Sequence, residues 1–279
     1  MTARAFYMLI LGPVFVYVVL LTLLVIFQRS FIYFPDTTRP DLAAYGQVAE
    51  GYQVITAQTE DGLRLEGWYY QGDADKPVIL WFHGNASNYA NRVYWAQHLT
   101  KAGYSVVLAG YRGYAGNPGT YTEGNLYKDA HAWVKTVQND LHVSPGNLVL
   151  YGESLGSGIA VEIATHYDVR ALILHTPYKS LRALAERTYP IFPIKYVMYD
   201  QYDSLSRIPH IHKMPVLMFH GTQDNVIPFT HARELFDAAP KPKTFVALEG
   251  ASHSDVFSYG ADRAIFDFLN QTKSDAVQK

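Results

Sequence analysis

A chain of 279 residues that is 49% hydrophobic and 14% aromatic has enough apolar content for a large buried core, which excludes a disordered chain. Its 23 Lys and Arg nearly balance 25 Asp and Glu, for a formal net charge of −2, so it carries no basic footprint for nucleic acid. It has no cysteine, which excludes disulfides, thiolate zinc sites and a cysteine nucleophile and leaves the redox compartment open.

Residues 5–28 lie between Arg4 and Arg29 without a charge. As a helix they span about 36 Å, more than the ~30 Å of hydrocarbon in a bilayer. They predict a single-pass membrane anchor. A cleaved signal peptide is the rival, but the apolar run exceeds an h-region of ~7–15 residues and no A-x-A site follows. Basic residues stand on both sides, Arg4 before and Arg29 and Arg39 after, so charge does not fix the orientation. Residues 29–50 turn polar, with Pro35 and Pro40 breaking any helix, and read as a connector into a globular domain at 51–275.

Within that domain, 51–58 and 63–70 alternate as two strands across the turn Glu60-Asp61-Gly62. Strands follow at 77–82, 105–109, 147–151, 171–175, 215–220 and 244–248. Helices are predicted at 87–102, 122–139, 155–166, 231–239 and 262–273. This alternation predicts an α/β fold, a mostly parallel sheet covered by helices on both faces, with ligands at the carboxyl ends of the strands.

One of those ends reads Gly152-Glu153-Ser154-Leu155-Gly156, the G-x-S-x-G elbow that sets a serine on the turn from strand to helix. Five residues alone are a weak signal; the strand before and the helix after give it weight. The strand at 215–220 runs into Gly221-Thr222-Gln223-Asp224, and the strand at 244–248 into Glu249-Gly250-Ala251-Ser252-His253. Asp224 and His253 therefore reach the same sheet edge as Ser154, in the chain order Ser, Asp, His. There His253 would take the Ser154 proton and Asp224 would orient the imidazole. Singly, a loop aspartate is a turn residue and a loop histidine a surface residue; the joint placement carries the assignment. The loop after 77–82 reads His83-Gly84-Asn85-Ala86-Ser87, and the N–H of Asn85 is expected to join that of Leu155 as an oxyanion donor, with Ala86 as the fallback. Asn85 could equally cap the helix behind it.

Together with Tyr111-Arg112-Gly113-Tyr114, these stretches resemble the alpha/beta-hydrolase superfamily. The branch most similar is the membrane-anchored, serine-aminopeptidase-like hydrolases, whose members show a segment like Phe27–Pro35 after the anchor. The resemblance covers about residues 27–270. It implies the alpha/beta-hydrolase fold and an esterase, lipase or thioesterase activity, and it marks 176–212 as a small cap. That cap carries Tyr178, Tyr189, Ile191, Phe192, Tyr196, Val197, Met198, Tyr199 and Tyr202, a largely aromatic set most of which is expected to pack the cap onto the sheet, with a shallow acyl groove or a lipid-facing surface as the alternatives. The chain departs from the family at Gly110, where an aspartate is common, and at Ala115-Gly116-Asn117, where Gly-x-Ser is usual.

His210 and His212 have strand spacing for a metal but no third ligand, and neither G-x-G-x-x-G nor a Walker lysine is present, so no metal and no cofactor are expected. The expected function is a serine hydrolase that cleaves carboxylic esters or thioesters of lipid-like acyl substrates through an acyl-Ser154 intermediate. The partners implied are that small-molecule acyl substrate and the membrane, not nucleic acid; nothing in the sequence sets the oligomeric state. Two alternatives stand beside it. A catalytically silent lipid- or partner-binding module would ordinarily have lost one of the three residues. A serine aminopeptidase on short peptides would need acidic groups for a free amino terminus, for which Glu153 and Asp255 are the candidates.

Overall fold

The computed structural model describes the backbone of residues 3–277 and the side chains of residues 11–272. Helix α1 (Ala3–Phe27) contains the apolar stretch and closes in a 3-10 turn at Gln28–Phe31. By length and composition it can cross a membrane. From Leu11 onward its aliphatic side chains stand largely exposed on every side, as they do in a helix that meets lipid rather than a protein core.

A short strand, β1 (Phe34–Pro35), follows and pairs in parallel with β5 (Ala86–Ser87). The main sheet begins with the antiparallel hairpin β2 (Tyr52–Gln58) and β3 (Arg64–Tyr70). It continues through β4 (Val78–Phe82), helix α2 (Val93–Lys101), β6 (Ser105–Ala109), α3 (Glu123–Asn139), β7 (Leu148–Glu153), α4 (Leu155–Ala164) and β8 (Ala171–His175). The cap holds α5 (Leu181–Thr188), α6 (Ile194–Val197) and α7 (Ser204–Arg207), and the sheet resumes with β9 (Val216–Gly221), α8 (Phe229–Ala238), β10 (Lys243–Leu248) and α9 (Ala261–Val277). Among the described residues the main sheet has the strand order β10-β9-β8-β7-β4-β6-β3-β2. It is parallel from β10 to β6, and β3 runs against both of its neighbours.

Every residue of β4, β6, β7, β8 and β9 is buried, which is why these strands read as continuous apolar runs. Successive side chains go to opposite faces. Leu80 and Phe82 pack with Trp133 of α3 and Ile159 of α4, whereas Ile79 and Trp81 pack with Val93 and Leu99 of α2 and Phe268 of α9.

Two stretches differ from the sequence reading. The helix predicted from residue 87 starts later, because Ala86–Ser87 is drawn into the pairing with β1 and Asn88 accepts from the Ala90 N–H to open a 3-10 turn. Asn88, not Asn85, is the cap. In the connector, where Pro35 and Pro40 are expected to break any helix, Asp41 caps a 3-10 stretch over Leu42–Ala49 behind both prolines, and Phe34 and Asp36 donate backbone N–H groups to the carbonyls of Asn85 and Ser87, both at 3.1 Å.

The anchor helix is also clasped to the cap. Buried Gln28 donates to the Val197 carbonyl (3.2 Å) and accepts from the Tyr199 N–H (2.8 Å), and Arg29 donates to Asp200 at 2.9 Å. Higher on the helix, Tyr17 donates to the Ile191 carbonyl at 2.9 Å and its ring stacks on Phe192.

Candidate active site

Between β7 and α4 the chain turns on Ser154, at φ 49° and ψ −115°. A residue with a Cβ held there stores about 1–3 kcal/mol of strain. Hydrogen bonds hold it in place: the Ser154 N–H donates to the His175 carbonyl, and the Ser154 carbonyl accepts from the Ser157 N–H, each at 2.9 Å. The flanking glycines are required by contact. A Cβ on Gly152 would stand 2.5 Å from the Gly156 carbonyl oxygen, and one on Gly156 would stand 2.1 Å from that of Phe82. This close approach puts the first turn of α4 against the end of β4 and the His83–Asn85 loop.

Ser154 Oγ lies 3.1 Å from His253 Nε2, and His253 Nδ1 lies 2.7 Å from Asp224 Oδ2. The three residues come from the loops after β7, β9 and β10. The Asp224 side chain is fully buried. Its Oδ1 accepts the backbone N–H groups of Val226 and Ile227, each at 2.8 Å, and its Oδ2 also lies 3.1 Å from His220 Nε2. Burial alone would raise the Asp224 pKa. Hydrogen bonds from His220 and His253, the attraction of His253 and the Ile227 N–H outweigh it and hold the carboxyl well below the usual carboxylate range. An ionised Asp224 keeps the His253 proton on Nδ1 and leaves Nε2 as an acceptor facing the serine hydroxyl.

The two expected oxyanion donors lie on the two walls of this turn. Leu155 opens α4, where the first N–H groups have no partner inside the helix. Asn85 follows Gly84, at which an added Cβ would sit 3.4 Å from that of Ser154. Its side-chain amide donates to the Ile32 carbonyl at 2.9 Å, and its own carbonyl accepts from Phe34 and from the Tyr114 hydroxyl.

Beneath the serine lies an ion pair that sequence reasoning missed. Arg92 donates to Glu153 through Nε (3.0 Å) and Nη2 (2.8 Å), and Trp81 adds a third hydrogen bond at 3.2 Å. Both charges are buried. Burial would raise the Glu153 pKa, but the attraction and hydrogen bonds of Arg92 bring it down to about 2. Arg92 Nη1 also donates to the carbonyls of Ala86 and Asn88, at 3.1 and 3.2 Å, so the pair ties the Asn85 loop to the elbow. No local pattern announces a contact 61 positions apart. With both its oxygens engaged, Glu153 is not available to hold a substrate amino group. Asp255 accepts from the Ser252 N–H at 2.7 Å.

A cavity of about 200 Å³ opens beside Asn85, lined by Leu24, Val25 and Ile32 on the anchor side and by Leu184, Ile194 and Met198 on the cap side. The sequence reading left the cap aromatics between packing, an acyl groove and a lipid-facing surface; the cavity is walled by the anchor helix as well as the cap.

Comparison with known proteins gives a consistent picture. The family model described as serine aminopeptidase, S33, matches residues 73–209. An uncharacterized protein of Mycobacterium tuberculosis is 36% identical over 230 residues, covering 82% of this chain and 81% of that one. Alpha/beta hydrolase domain-containing protein 17B of Homo sapiens is 33% identical over 228 residues, covering 80% of this chain and 76% of that one. Among solved structures, the Pyrococcus furiosus esterase Pf2001 superposes with a TM-score of 0.70 at 20% identity, over 85% of this chain and 98% of that one. At that identity the likeness speaks for the fold alone.

Proposed function

Because the chain belongs to the alpha/beta-hydrolase superfamily and its residues 73–209 match the serine-aminopeptidase model, we propose that it is a serine hydrolase cleaving carboxylic esters or thioesters of lipid-like acyl groups. The observation that carries this reading is the continuous path from Ser154 Oγ to His253 Nε2 (3.1 Å) and from His253 Nδ1 to Asp224 (2.7 Å). Ser154 Oγ attacks the acyl carbonyl carbon as its proton passes to His253 Nε2, and the negative charge on the carbonyl oxygen is met by the N–H groups of Leu155 and Asn85. Collapse breaks the bond to the alkoxide or thiolate, which leaves with the proton from His253. Water then repeats the sequence on the acyl-Ser154 ester and releases the acid.

Esters are favoured over peptides because the neighbouring cavity is apolar and Glu153 is closed off by Arg92. The test is labelling of the detergent-solubilised protein by a fluorophosphonate, with turnover of p-nitrophenyl esters. Labelling and turnover are expected in the wild type and absent in Ser154→Ala; equal turnover in both would sink the mechanism.

We also propose that α1 is an uncleaved membrane anchor. Its contacts with the cap through Gln28, Arg29 and Tyr17 support this, since cleavage behind them would strip the cap of those partners.

A further inference from the structure

We propose that the acyl chain of the substrate reaches Ser154 sideways from the lipid phase, through the cavity between the end of the anchor helix and the cap. This rests on the acyl-Ser154 reading above. Asn85 lines the cavity together with Leu24 and Val25 of α1 and Leu184 and Met198 of the cap, and Asn85 directly follows Gly84, where an added Cβ would sit 3.4 Å from that of Ser154. Among the described residues no charged side chain lines it. Leu24, Val25, Gln28 and Phe31 of its anchor-side wall belong to the stretch Leu11–Phe31, the part of the chain fit to cross a membrane.

The cap reaches beside that stretch. Tyr17, bonded to the Ile191 carbonyl, lies about 16 Å up the helix axis from Gln28, which is bonded to the cap at Tyr199. The tip of the cap therefore stands at the depth of the hydrocarbon. Ile191, Tyr196 and Tyr199 are exposed there, as are Phe27 and Phe31 on the helix side, and this apolar rim is unfavourable in water and suited to lipid. Gln28 and the ion pair of Arg29 with Asp200 hold the two walls together. At about 200 Å³ the cavity is smaller than the ~300–1,000 Å³ of sites that enclose a drug-sized ligand. It takes the carbonyl-proximal part of one chain and leaves the far end in lipid. The substrate class is thus a long-chain acyl ester or thioester already resident in the bilayer, with its leaving group on the aqueous side.

Two measurements on the full chain in phosphatidylcholine vesicles test this. The first uses a tetradecyl fluorophosphonate with a diazirine along its chain. Bonded to Ser154 and photolysed, it is expected to cross-link to residues 24–32 or 181–198. Labelling of Ser154 with cross-links elsewhere on the protein would overturn the entry route and leave the hydrolase intact. Failure to label Ser154 at all would remove the acyl-enzyme premise and the route with it. The second measures the turnover ratio of p-nitrophenyl hexadecanoate to acetate in Leu24→Trp and Leu184→Trp, which narrow the cavity from opposite walls. Each variant's acetate rate is its own reference. The ratio is expected to fall about 10-fold or more in both variants, and an unmoved ratio in both would overturn the proposal.

Discussion

Ser154 occupies a left-handed backbone conformation that β-carbon sterics disfavour, and it does so because the glycines on either side let helix, strand and loop converge on it. Each neighbour then has one physical task. Asp224 stays ionised in a buried place because four donors surround it. Asp224→Asn should keep the fold but put an amide N–H against His253 Nδ1, forcing the proton onto Nε2; kcat on a p-nitrophenyl ester is expected to fall by about 10⁴. Glu153→Gln leaves the Arg92 guanidinium buried without its counter-charge. Loss of about 3–5 kcal/mol is expected, read as a lower denaturation midpoint in detergent. The sequence displayed the first set of residues, because a strand–turn–helix serine and two loop residues at strand ends form a recognisable order. It hid Arg92 and His220, since partners that serve only by contact leave no spacing rule behind.

At the scale of elements, two glycines and one short strand govern the site. Gly156→Ala would drive a methyl group into the Phe82 carbonyl, and only a shift of α4 away from β4 relieves it. That shift moves Leu155 and Ser154 together, so fluorophosphonate labelling should be lost along with stability, whereas Gly124→Ala, with open space around it, should label normally. The Phe27–Pro35 segment has a structural reason in the pairing of β1 with β5. The chain leaving the membrane bonds directly to the loop that carries Asn85. Gly110 and Asn117, the two departures from the family pattern, explain each other. A Cβ at Gly110 would stand 2.7 Å from Asn117 Nδ2, and the Asn117 side chain uses the vacated room to pair with both backbone groups of Glu66, at 2.8 and 3.0 Å.

Across the whole molecule, buried histidines set the response to acid. Burial depresses His83 and His175 to about 3 and His231 to about 4, from an ordinary 6.5. The unfolded chain therefore binds protons that the folded chain refuses as pH falls below about 6.5. Stability should drop by up to about 1.4 kcal/mol per pH unit for each histidine, until the folded-state values are reached. Glu153 acts in the same direction lower down: its contribution is complete above about 4.5 and is lost as pH falls toward 2. Thermal midpoints recorded from pH 7 down to pH 4 should fall steadily; a flat profile would mean these rings are hydrated. The anchor gives the other molecular prediction. Protein should stay in carbonate-washed membranes with its N-terminal segment intact; a shortened, released form would identify a signal peptide instead.

The sequence by itself determined the α/β order of elements, the apolar span, and the identity and chain order of Ser154, Asp224 and His253. Those rest on local periodicity and on the rule that parallel strands deliver their following loops to one edge. Only the tertiary structure decided what surrounds them. The charge pair beneath the serine, the strand that binds the Asn85 loop, and the cavity shared by anchor and cap all join residues distant in the chain, and each depends on packing geometry that no local pattern encodes.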